Sequence, residues 1–475
     1  MIIGGSQSVS FSFYGEEFFQ RIDRNYVASD YFAFIRPDVA QREASLVVRS
    51  GEDDGFACLV KGNYNIFRPA EAVGGYLDSA MTEYLLLQAQ KLSPKLLLEV
   101  EAHCPIATTV HFWDTEYPAV HDDQTNITVA FDPETHLPFL VRSFEEHPIF
   151  GRTPKDLHFS NYTEVEGILF PRHQKIWYNG DSIVEETEFT SISTNSTFDE
   201  GYFDGLDASD TTTIQAAPEK VPGYSHALLG EFWSHMLWGG QYMGTIGGAV
   251  VSLPAADLPG AYHIIFSDGP GLAQLVLEFE DFVLVFEAPH HQTDLVIQWV
   301  DENIGKPITY LWISHHHHDH NFDVDRFVAI GASVIVPEMA VSYWSQIPGI
   351  NLVTFTEDEP YIVSDSNMQA RFIWRPYTPH SADFTYAIVT SACPSVDTSI
   401  LAYTADSFST GFDTDKSVAS QWLLQALDDG LSRNAIVIPA HGSAVPLSAV
   451  LEVVGSPYPP LDSTSFVRGG DICLQ

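Results

Sequence analysis

The sequence is poor in basic residues and has no long apolar run. Its 475 residues include 22 Lys and Arg against 63 Asp and Glu, which gives a formal net charge of −41. So negative a chain repels phosphate backbones and anionic membrane surfaces, and no local basic patch offsets the charge. No apolar run reaches the roughly 18 residues that a membrane-spanning helix needs. The sequence therefore argues against nucleic acid and membranes as partners.

Cysteine is also scarce. The chain has 4 cysteines, two in each half, which permits one disulfide in each half or four separate thiols. These are Cys58, Cys104, Cys393 and Cys473. The first residues, Met1–Gly5, lack the basic and apolar segments of a signal peptide. Because high acidity, low lysine and an even cysteine count favour secretion, we expect an extracellular protein, with a cytoplasmic one as the alternative.

The first part of the chain predicts a mostly antiparallel, β-rich domain over residues 1–215. The spacing of leucines between Ala80 and Ala102 predicts a helix, and Asn179-Gly180-Asp181 is a hairpin signal. Strands are predicted where apolar and polar residues alternate, at Asn126–Phe131, Leu137–Phe144, Glu164–Tyr178 and Ser182–Thr194. Residues 164–193 resemble the β half-barrel of lipoprotein-carrier-type domains, which implies an apolar concave face.

A second domain is expected over residues 216–475, because Asp207–Gly223 is rich in Ser, Thr, Ala and Pro. Its strands alternate with helices, which predicts a layered α/β or α+β architecture. The predicted strands are Leu272–Phe279, Phe282–Glu287, Pro307–Ile313 and Ser333–Val336. The predicted helices are Thr293–Asn303, Asp323–Ile330 and Glu338–Trp344.

A run of histidines follows one of these strands, in Ser314-His315-His316-His317-His318-Asp319-His320. In an extended segment His315, His317 and Asp319 project to one side, and a turn would bring His320 to the same point. Imidazole nitrogens and carboxylate oxygens are the donors that divalent transition metals bind. The segment therefore predicts a metal site assembled largely from neighbouring residues.

Three further metal-ligating side chains lie at the ends of apolar segments. His380 follows the strand-like Gln369–Arg375, Asp406 follows Ile400–Ala405, and His441 follows Ala435–Ile438. Open α/β layers place their active sites at the carboxyl ends of strands. Each residue taken alone has a structural reading, as a hydrogen-bonded loop histidine or a helix cap. Their order after the histidine run favours the metal site.

The complete set resembles the metallo-β-lactamase superfamily, whose signature is His-x-His-x-Asp-His followed by a His, an Asp and a final His. The resemblance covers about Tyr262–Pro446 and implies an αββα sandwich with the site along one edge of its sheets. It also implies two divalent metal ions and their ligands. The first ion would take His315, His317 and His380, the second Asp319, His320 and His441, and Asp406 would bridge them.

The sequence departs from the family pattern in three places. Pro379 precedes His380 where family members have Gly, and Ala405 precedes Asp406 where Gly is again common. The early strand ends in Glu287 rather than Asp, so Glu287 either replaces that Asp or is a surface carboxylate. A carboxylate at position 406 argues against the commonest class B β-lactamases, which carry Cys there. The short spacing between ligands resembles lactonase and thioesterase members.

The resemblance implies a metal-dependent hydrolase. Two divalent ions, with Zn expected and Mn or Fe possible, would produce a bridging hydroxide that attacks a carbonyl carbon. Asp319 and Asp406 would orient the water and accept its proton. We expect a neutral ester, lactone or related carbonyl compound as the small-molecule substrate, since the negative charge disfavours polyanions.

Two alternatives remain open from the sequence. Some members of the superfamily bind iron and oxidise thiols or persulfides, and a metal-stabilised binding protein without catalysis would carry the same ligands. His316 and His318 are candidates for structural roles around the metals. His290 and His291 are left unassigned. The sequence does not address the substrate's identity, the oligomeric state or the role of the first domain.

Overall fold

The computed structural model describes residues 4–14, 17–24, 44–50, 57–61, 91–92, 96–147, 149–180, 182–193, 244–268, 271–289, 292–376, 378, 380–411 and 416–455. The chain divides into two compact units, Met1–Gly240 and Gln241–Gln475. The boundary predicted near residue 215 lies outside the described residues, as does most of the helix predicted from Ala80. Within the described residues, no helix combines the length and the apolar character needed to cross a membrane.

The described residues of the first unit form a sheet of 11 strands in the order β4-β3-β2-β1-β11-β10-β9-β8-β7-β6-β5. The strands are β1 Gly4–Tyr14, β2 Glu17–Arg24, β3 Ala44–Ser50, β4 Ala57–Lys61, β5 Ile106–Phe112, β6 Thr115–Asp122, β7 Ile127–Phe131, β8 Pro138–His147, β9 Gly151–Val165, β10 Ile168–Tyr178 and β11 Ser182–Ser193. A short helix, α1, spans Leu96–Ala102. All neighbouring strands are antiparallel except β1 and β11, which are parallel, so the unit is β-rich as predicted.

Turn residues set the register of this sheet. The strand predicted over Glu164–Tyr178 is two strands, because Glu166 and Gly167 form a two-residue turn with φ of 48° and 84°. Two consecutive positive φ angles match the right-handed twist of a tight hairpin. The predicted turn at Asn179 and Gly180 is present, with φ of 54° and 78°.

The two faces of the sheet differ because successive side chains of a strand alternate in direction. On one face Val129, Val141, Leu157 and Ile176 lie opposite one another and are at most 1% exposed. This row forms part of the core of the first unit.

The other face carries His158 within an aromatic cluster. The His158 ring stacks on Phe112 at 5.1 Å between centroids and meets Phe139 edge-on at 4.4 Å. Its Nε2 atom is buried and has no hydrogen-bond partner within the described part of the chain. Burial, only partly offset by the nearby Asp156 carboxylate, lowers the pKa of His158 to about 4.

In the part of the second unit that the structure describes, the strands form two sheets. The strands of the first, in spatial order, are β12 Ala249–Ser252, β13 Ala261–Phe266, β14 Ala273–Glu278, β15 Val283–Phe286, β16 Ile308–Trp312, β17 Ser333–Pro337 and β18 Asn351–Phe355. Those of the second are β19 Tyr361–Ser364, β20 Met368–Trp374, β21 Thr385–Ser391, β22 Ile400–Ala405, β23 Ala435–Pro439 and β24 Val445–Pro446. The helices are α2 Thr293–Asn303, α3 His318–Asn321, α4 Val324–Ala329, α5 Val341–Trp344, α6 Lys416–Asp428 and α7 Leu447–Val454, with 3₁₀ turns at Ile246–Gly248 and Glu338–Ala340.

Chain order and pairing explain how the strand ends come together. Strands β15 to β18 are parallel, and helices α2, α4 and α5 fall in the connections between them. Strands β22 and β23 of the second sheet are also parallel, joined through α6. Parallel strands joined by such crossovers end at the same edge of their sheet. Loops that carry polar side chains therefore collect at these edges.

The two sheets of the second unit share one core. Phe286 and Trp312 from the first sheet contact Tyr403 and Phe372 from the second, at 5.2 Å between the rings of Phe286 and Tyr403 and 5.4 Å between those of Trp312 and Phe372. On the other face of the second sheet, alternate residues of β22 and β23 pack against α6 and α7. Apolar residues on both faces of β22 therefore hold its carboxyl end rigidly, and Asp406 follows that end.

Several predicted elements have the predicted bounds, including the helix Thr293–Asn303 and the strand Ile400–Ala405. The helix predicted over Glu338–Trp344 is a 3₁₀ turn followed by a single helical turn. Cys104 is a free, exposed thiol and Cys393 is disulfide-bonded.

The His158 site makes the stability of the first unit depend on pH. Because the folded state holds the pKa near 4, the unfolded chain binds the proton first as the pH falls below about 6.5. Acidification from pH 7.5 to 4.5 should lower the unfolding free energy of the wild type by about 1–2 kcal/mol more than that of His158→Phe. This range allows for the partial exposure of the ring to water. Urea unfolding of both proteins measures the difference. Parallel losses in the two proteins over this range would contradict the assignment.

Candidate metal centre

Four predicted ligands lie on one short segment, the histidine turn (Ser314–His320), which follows β16. The extended conformation predicted through Asp319 is wrong, because helix α3 begins at His318 and places Asp319 and His320 on a helical turn. Asn321 closes the turn, since its Nδ2 donates to the carbonyl oxygens of His317 at 2.8 Å and His315 at 3.3 Å. This amide directly follows the motif but is not part of the predicted ligand set.

The other three predicted ligands come from the second sheet. His380 lies in the loop between β20 and β21, Asp406 directly follows β22, and His441 follows β23. All three approach the histidine turn although 60 residues or more separate them from its end in the sequence, as 380 − 320 = 60 shows. The packing of the two sheets therefore assembles the set.

The first group of ligand atoms comprises His315, His317, His380 and Asp406, all within 4.8 Å of one another. Nε2 of His380 lies 3.0 Å from Nε2 of His315 and 3.3 Å from Oδ2 of Asp406. Such close approach of two ring nitrogens is typical of imidazoles that face one common point.

The second group comprises Asp319, His320, His441 and again Asp406, with ligand atoms also within 4.8 Å of one another. Nε2 of His441 lies 3.1 Å from Oδ2 of Asp319 and 3.2 Å from Oδ1 of Asp406. Nε2 of His320 lies 3.1 Å from the same Asp406 oxygen.

Asp406 is common to both groups. Its Oδ2 faces His380 of the first group, whereas its Oδ1 faces His320 and His441 of the second. Its side chain is only 5% exposed. One buried carboxylate with an oxygen toward each group is the arrangement that a bridging ligand requires.

The two groups differ in the charge of their imidazoles. Burial lowers the pKa of His315 and His317 well below the usual value, and the neighbouring imidazoles lower it further. Burial also disfavours the charged form of His441, but Asp406 and Asp319 outweigh it and raise its pKa to about 9. His315 and His317 are therefore neutral at pH 7, the form that binds metal ions, whereas a cation at the second group must displace a proton from His441.

Buried polar atoms in the centre fit divalent cations. Oδ1 of Asp319, Nε2 of His320 and both carboxylate oxygens of Asp406 are buried and make no hydrogen bond of normal geometry within the described residues. Leaving such atoms without a partner is costly. Nε2 of His320 and the two Asp406 oxygens lie among the ligand atoms of the two groups, and a cation held there would satisfy them. The donors are nitrogen and oxygen only, which suits Zn, Mn or Fe.

Backbone contacts fix His441 in place. Its carbonyl oxygen accepts hydrogen bonds from the backbone N–H of Thr410 at 3.1 Å, the N–H of Gly411 at 3.1 Å and Oγ of Ser409 at 3.0 Å. The next residue, Gly442, has φ of 119°, and a Cβ there would lie 2.1 Å from Oγ1 of Thr410 and 2.7 Å from the backbone nitrogen of Gly411. Glycine is therefore required beside this ligand.

Two of the departures from the family pattern lie at positions of positive φ. Ala405 has φ of 45° and Glu287 has φ of 67°, a region that costs side-chain-bearing residues energy and that Gly adopts freely. Glu287 is 1% exposed, so its interpretation as a surface carboxylate is wrong. Its Oε2 accepts from the N–H of Ser314 at 3.2 Å, and its Oε1 lies 3.3 Å from Nδ1 of His320. It thus joins the end of β15 to the histidine turn.

Among the described residues, His316 belongs to neither group. His316 is buried and contacts Asp383. The side chain of His318 and the pair His290 and His291 lie outside what the structure describes.

No protein-family model matches the sequence, and no curated protein matches it. One similar solved structure is described as a metallo-beta-lactamase from Pontibacter korlensis, with 11% identity, a TM-score of 0.33, and coverage of 44% of this chain and 97% of that chain. Another is described as the first B3 metallo-beta-lactamase with an active-site glutamic acid, with 13% identity, a TM-score of 0.33, and coverage of 44% and 89%. At these scores we draw no conclusion from either likeness. The structure itself brings the seven predicted ligands into two groups that share Asp406.

The contact between Gly442 and Thr410 predicts a severe effect of one added methyl group. Gly442→Ala is expected to lower the unfolding free energy by about 3 kcal/mol or more, because strain at positive φ adds to a backbone clash. Gly455→Ala is the matched control: φ is 73° there, but the added Cβ would meet nothing within 4 Å. It should cost only about 1–2 kcal/mol. Urea unfolding compares the two, and equal losses would show that the close approach at Gly442 is unimportant.

Proposed function

We propose that the chain is a metal-dependent hydrolase that acts on a neutral ester, a lactone or a related carbonyl compound. The observation that carries the proposal is the pair of buried ligand groups that share Asp406. The first group would hold one divalent ion, the second group another, and Asp406 would contact both. The proposed architecture around this centre is an αββα sandwich.

Divalent ions held by these residues would supply acidification of water near neutral pH and polarisation of a carbonyl oxygen. The side chains of the protein would hold the ions and orient the reacting groups. Asp406 is fixed by β22, and the imidazoles lie on segments tied down by backbone hydrogen bonds. The donor set suits Zn, with Mn or Fe as alternatives.

Asp319 is the proposed proton acceptor. Its Oδ2 faces His441 and His320, at 3.1 Å and 3.5 Å, whereas its Oδ1 is engaged in no hydrogen bond within the described residues. A carboxylate with one oxygen committed and the other open can accept a proton at Oδ1 without losing its contacts. Asp406 has both oxygens directed to histidines, so its proposed role is to orient.

The charges around the centre favour a neutral substrate. In the described residues, the ion pairs of the ligand side chains involve only His, Asp and Glu, with no Lys or Arg. A substrate carboxylate or phosphate would therefore find no basic side chain among these contacts. The formal net charge of −41 disfavours polyanions as well.

We propose an extracellular location for this hydrolase. The disulfide at Cys393 supports it, because such bonds persist in oxidising compartments.

Metal removal and replacement test the proposal. The purified protein should contain about two equivalents of divalent metal, lose activity on p-nitrophenyl acetate and γ-lactones after chelation, and regain it with Zn²⁺. Mutation of residues that only support metal ligands typically costs roughly 10–100-fold in activity. His380→Ala and Asp406→Ala remove ligands themselves, so each should lower kcat/KM by more than this. His111→Ala, an exposed histidine on β5 of the first unit, is the control and should leave activity unchanged.

Other results would replace the proposal. Bound iron with oxygen uptake on thiols or persulfides would indicate an oxidoreductase. Stoichiometric metal without turnover on an ester, lactone and amide panel would indicate a non-catalytic binding protein. Full activity in His380→Ala would show that the chemistry does not use this centre.

A further inference from the structure

His316 lies within the histidine turn, yet it belongs to neither ligand group. Its neighbours His315 and His317 face the first group, and His316 faces the loop before β21. Nδ1 of His316 lies 2.8 Å from Oδ1 of Asp383, and the two residues are 6% and 0% exposed. At this distance the ring N–H of His316 donates to the carboxylate oxygen of Asp383, in an environment with little water.

Asp383 needs that contact. A carboxylate removed from water is costly unless donors compensate for the lost hydration. Oδ1 of Asp383 accepts from Ser381 Oγ at 2.9 Å as well as facing His316. Its Oδ2 makes no hydrogen bond within the described residues. Loss of the His316 ring would therefore leave Asp383 underpaired, and the loop would be expected to move.

The loop that would move is the one that carries His380. Asp383 lies three residues after His380, and Oγ1 of Thr378 donates to the carbonyl oxygen of Ser381 across that position at 2.9 Å. A second link lies just beyond, where the N–H and Oγ1 of Thr385 both donate to the carbonyl oxygen of Ser314, at 2.8 Å and 2.9 Å. The loop is thus joined to the histidine turn at two points, and His316 supplies the side-chain link nearer to His380.

The second ligand group is held by other means. His441 depends on Ser409, Thr410 and Gly411, and Asp319 and His320 depend on the helical turn that Asn321 closes. None of these contacts involves Asp383 or the loop before β21. A change at His316 should consequently reach the first group through His380 and leave the second group intact.

We infer that His316 is a positioning residue, whose contact with Asp383 fixes the loop of His380 against the histidine turn and so sets the metal affinity of the first group alone. The inference rests on the metal centre of the proposed function, but it does not depend on hydrolysis. A purely structural role would lower stability without distinguishing the two groups.

Zn²⁺ titration of metal-free protein, in competition with a chromophoric chelator, tests this separation. His441→Ala weakens the second group and isolates the first, whereas His380→Ala does the reverse. Added to the His441→Ala protein, His316→Ala should weaken Zn²⁺ binding about 10-fold or more. Added to the His380→Ala protein, it should change the affinity less than about twofold, because the affected loop no longer supplies a ligand.

Two further variants separate positioning from a general loss of stability. His316→Asn keeps a side-chain N–H close to the position of Nδ1 and should restore most of the affinity. Val296→Ala removes buried contacts from helix α2, where the side chain is 0% exposed, and should lower stability without a selective effect on either group.

Hydrogen exchange of the metal-free proteins gives an independent readout. Amides of residues 380–385 should exchange faster in His316→Ala than in the wild type or in His316→Asn. Equal Zn²⁺ weakening in the two backgrounds, or unchanged exchange in this segment, would overturn the positioning role. If Zn²⁺ binding is weakened selectively in His316→Ala but the zinc-loaded wild type shows no turnover on the ester and lactone panel, the proposed function is overturned and the positioning role remains supported.

Discussion

The metal centre of the second unit depends on one buried charge, the carboxylate of Asp406. This carboxylate is almost completely enclosed, and imidazoles approach both of its oxygens. Burial alone would raise the pKa of Asp406, but His320 and His441 overcome it and hold the pKa well below the usual value. Charges of opposite sign are thus confined in a space from which water is largely excluded, and polar atoms in it still lack hydrogen bonds within the described residues. Divalent cations resolve that imbalance more completely than protons can, because they offer several coordination positions at once.

The surrounding fold supplies the rigidity that this arrangement requires. Each ligand segment begins or ends on a strand whose side chains are packed, in β22 on both faces. Short hydrogen-bonded links then fix the loops: Asn321 within the histidine turn, three donors on the carbonyl oxygen of His441, and Thr385 with Asp383 beside His380. This precise placement strains the backbone at Ala405 and Glu287, which both adopt positive φ. Strain of this kind persists where neighbouring packing determines the conformation.

The local elements and the seven ligand positions were accessible from the sequence because they depend on short patterns. The helix Thr293–Asn303 and the strand Ile400–Ala405 follow from periodicity, and the motif at residues 315–320 places four donors close together. The helical turn at Asp319 was missed, because alternating histidines suit an extended segment equally well. Asp383 and Thr410 could not be identified, since their partners are distant in sequence and nothing in their immediate neighbours marks them. The turn at Glu166-Gly167 was missed because Glu rarely adopts positive φ.

The parallel pairing of β1 with β11 has a consequence for the order of events during synthesis. Strand β1 lies inside its sheet, between β2 and β11. The edge of β1 that faces β11 is therefore covered only after more than 160 further residues have left the ribosome, since 182 − 14 = 168. The segment β1 to β4 can form its own hairpins early, with one edge still open to other chains. Closure of so long a loop is entropically slow. The nascent protein therefore depends on its own later sequence to cover an edge that it makes first.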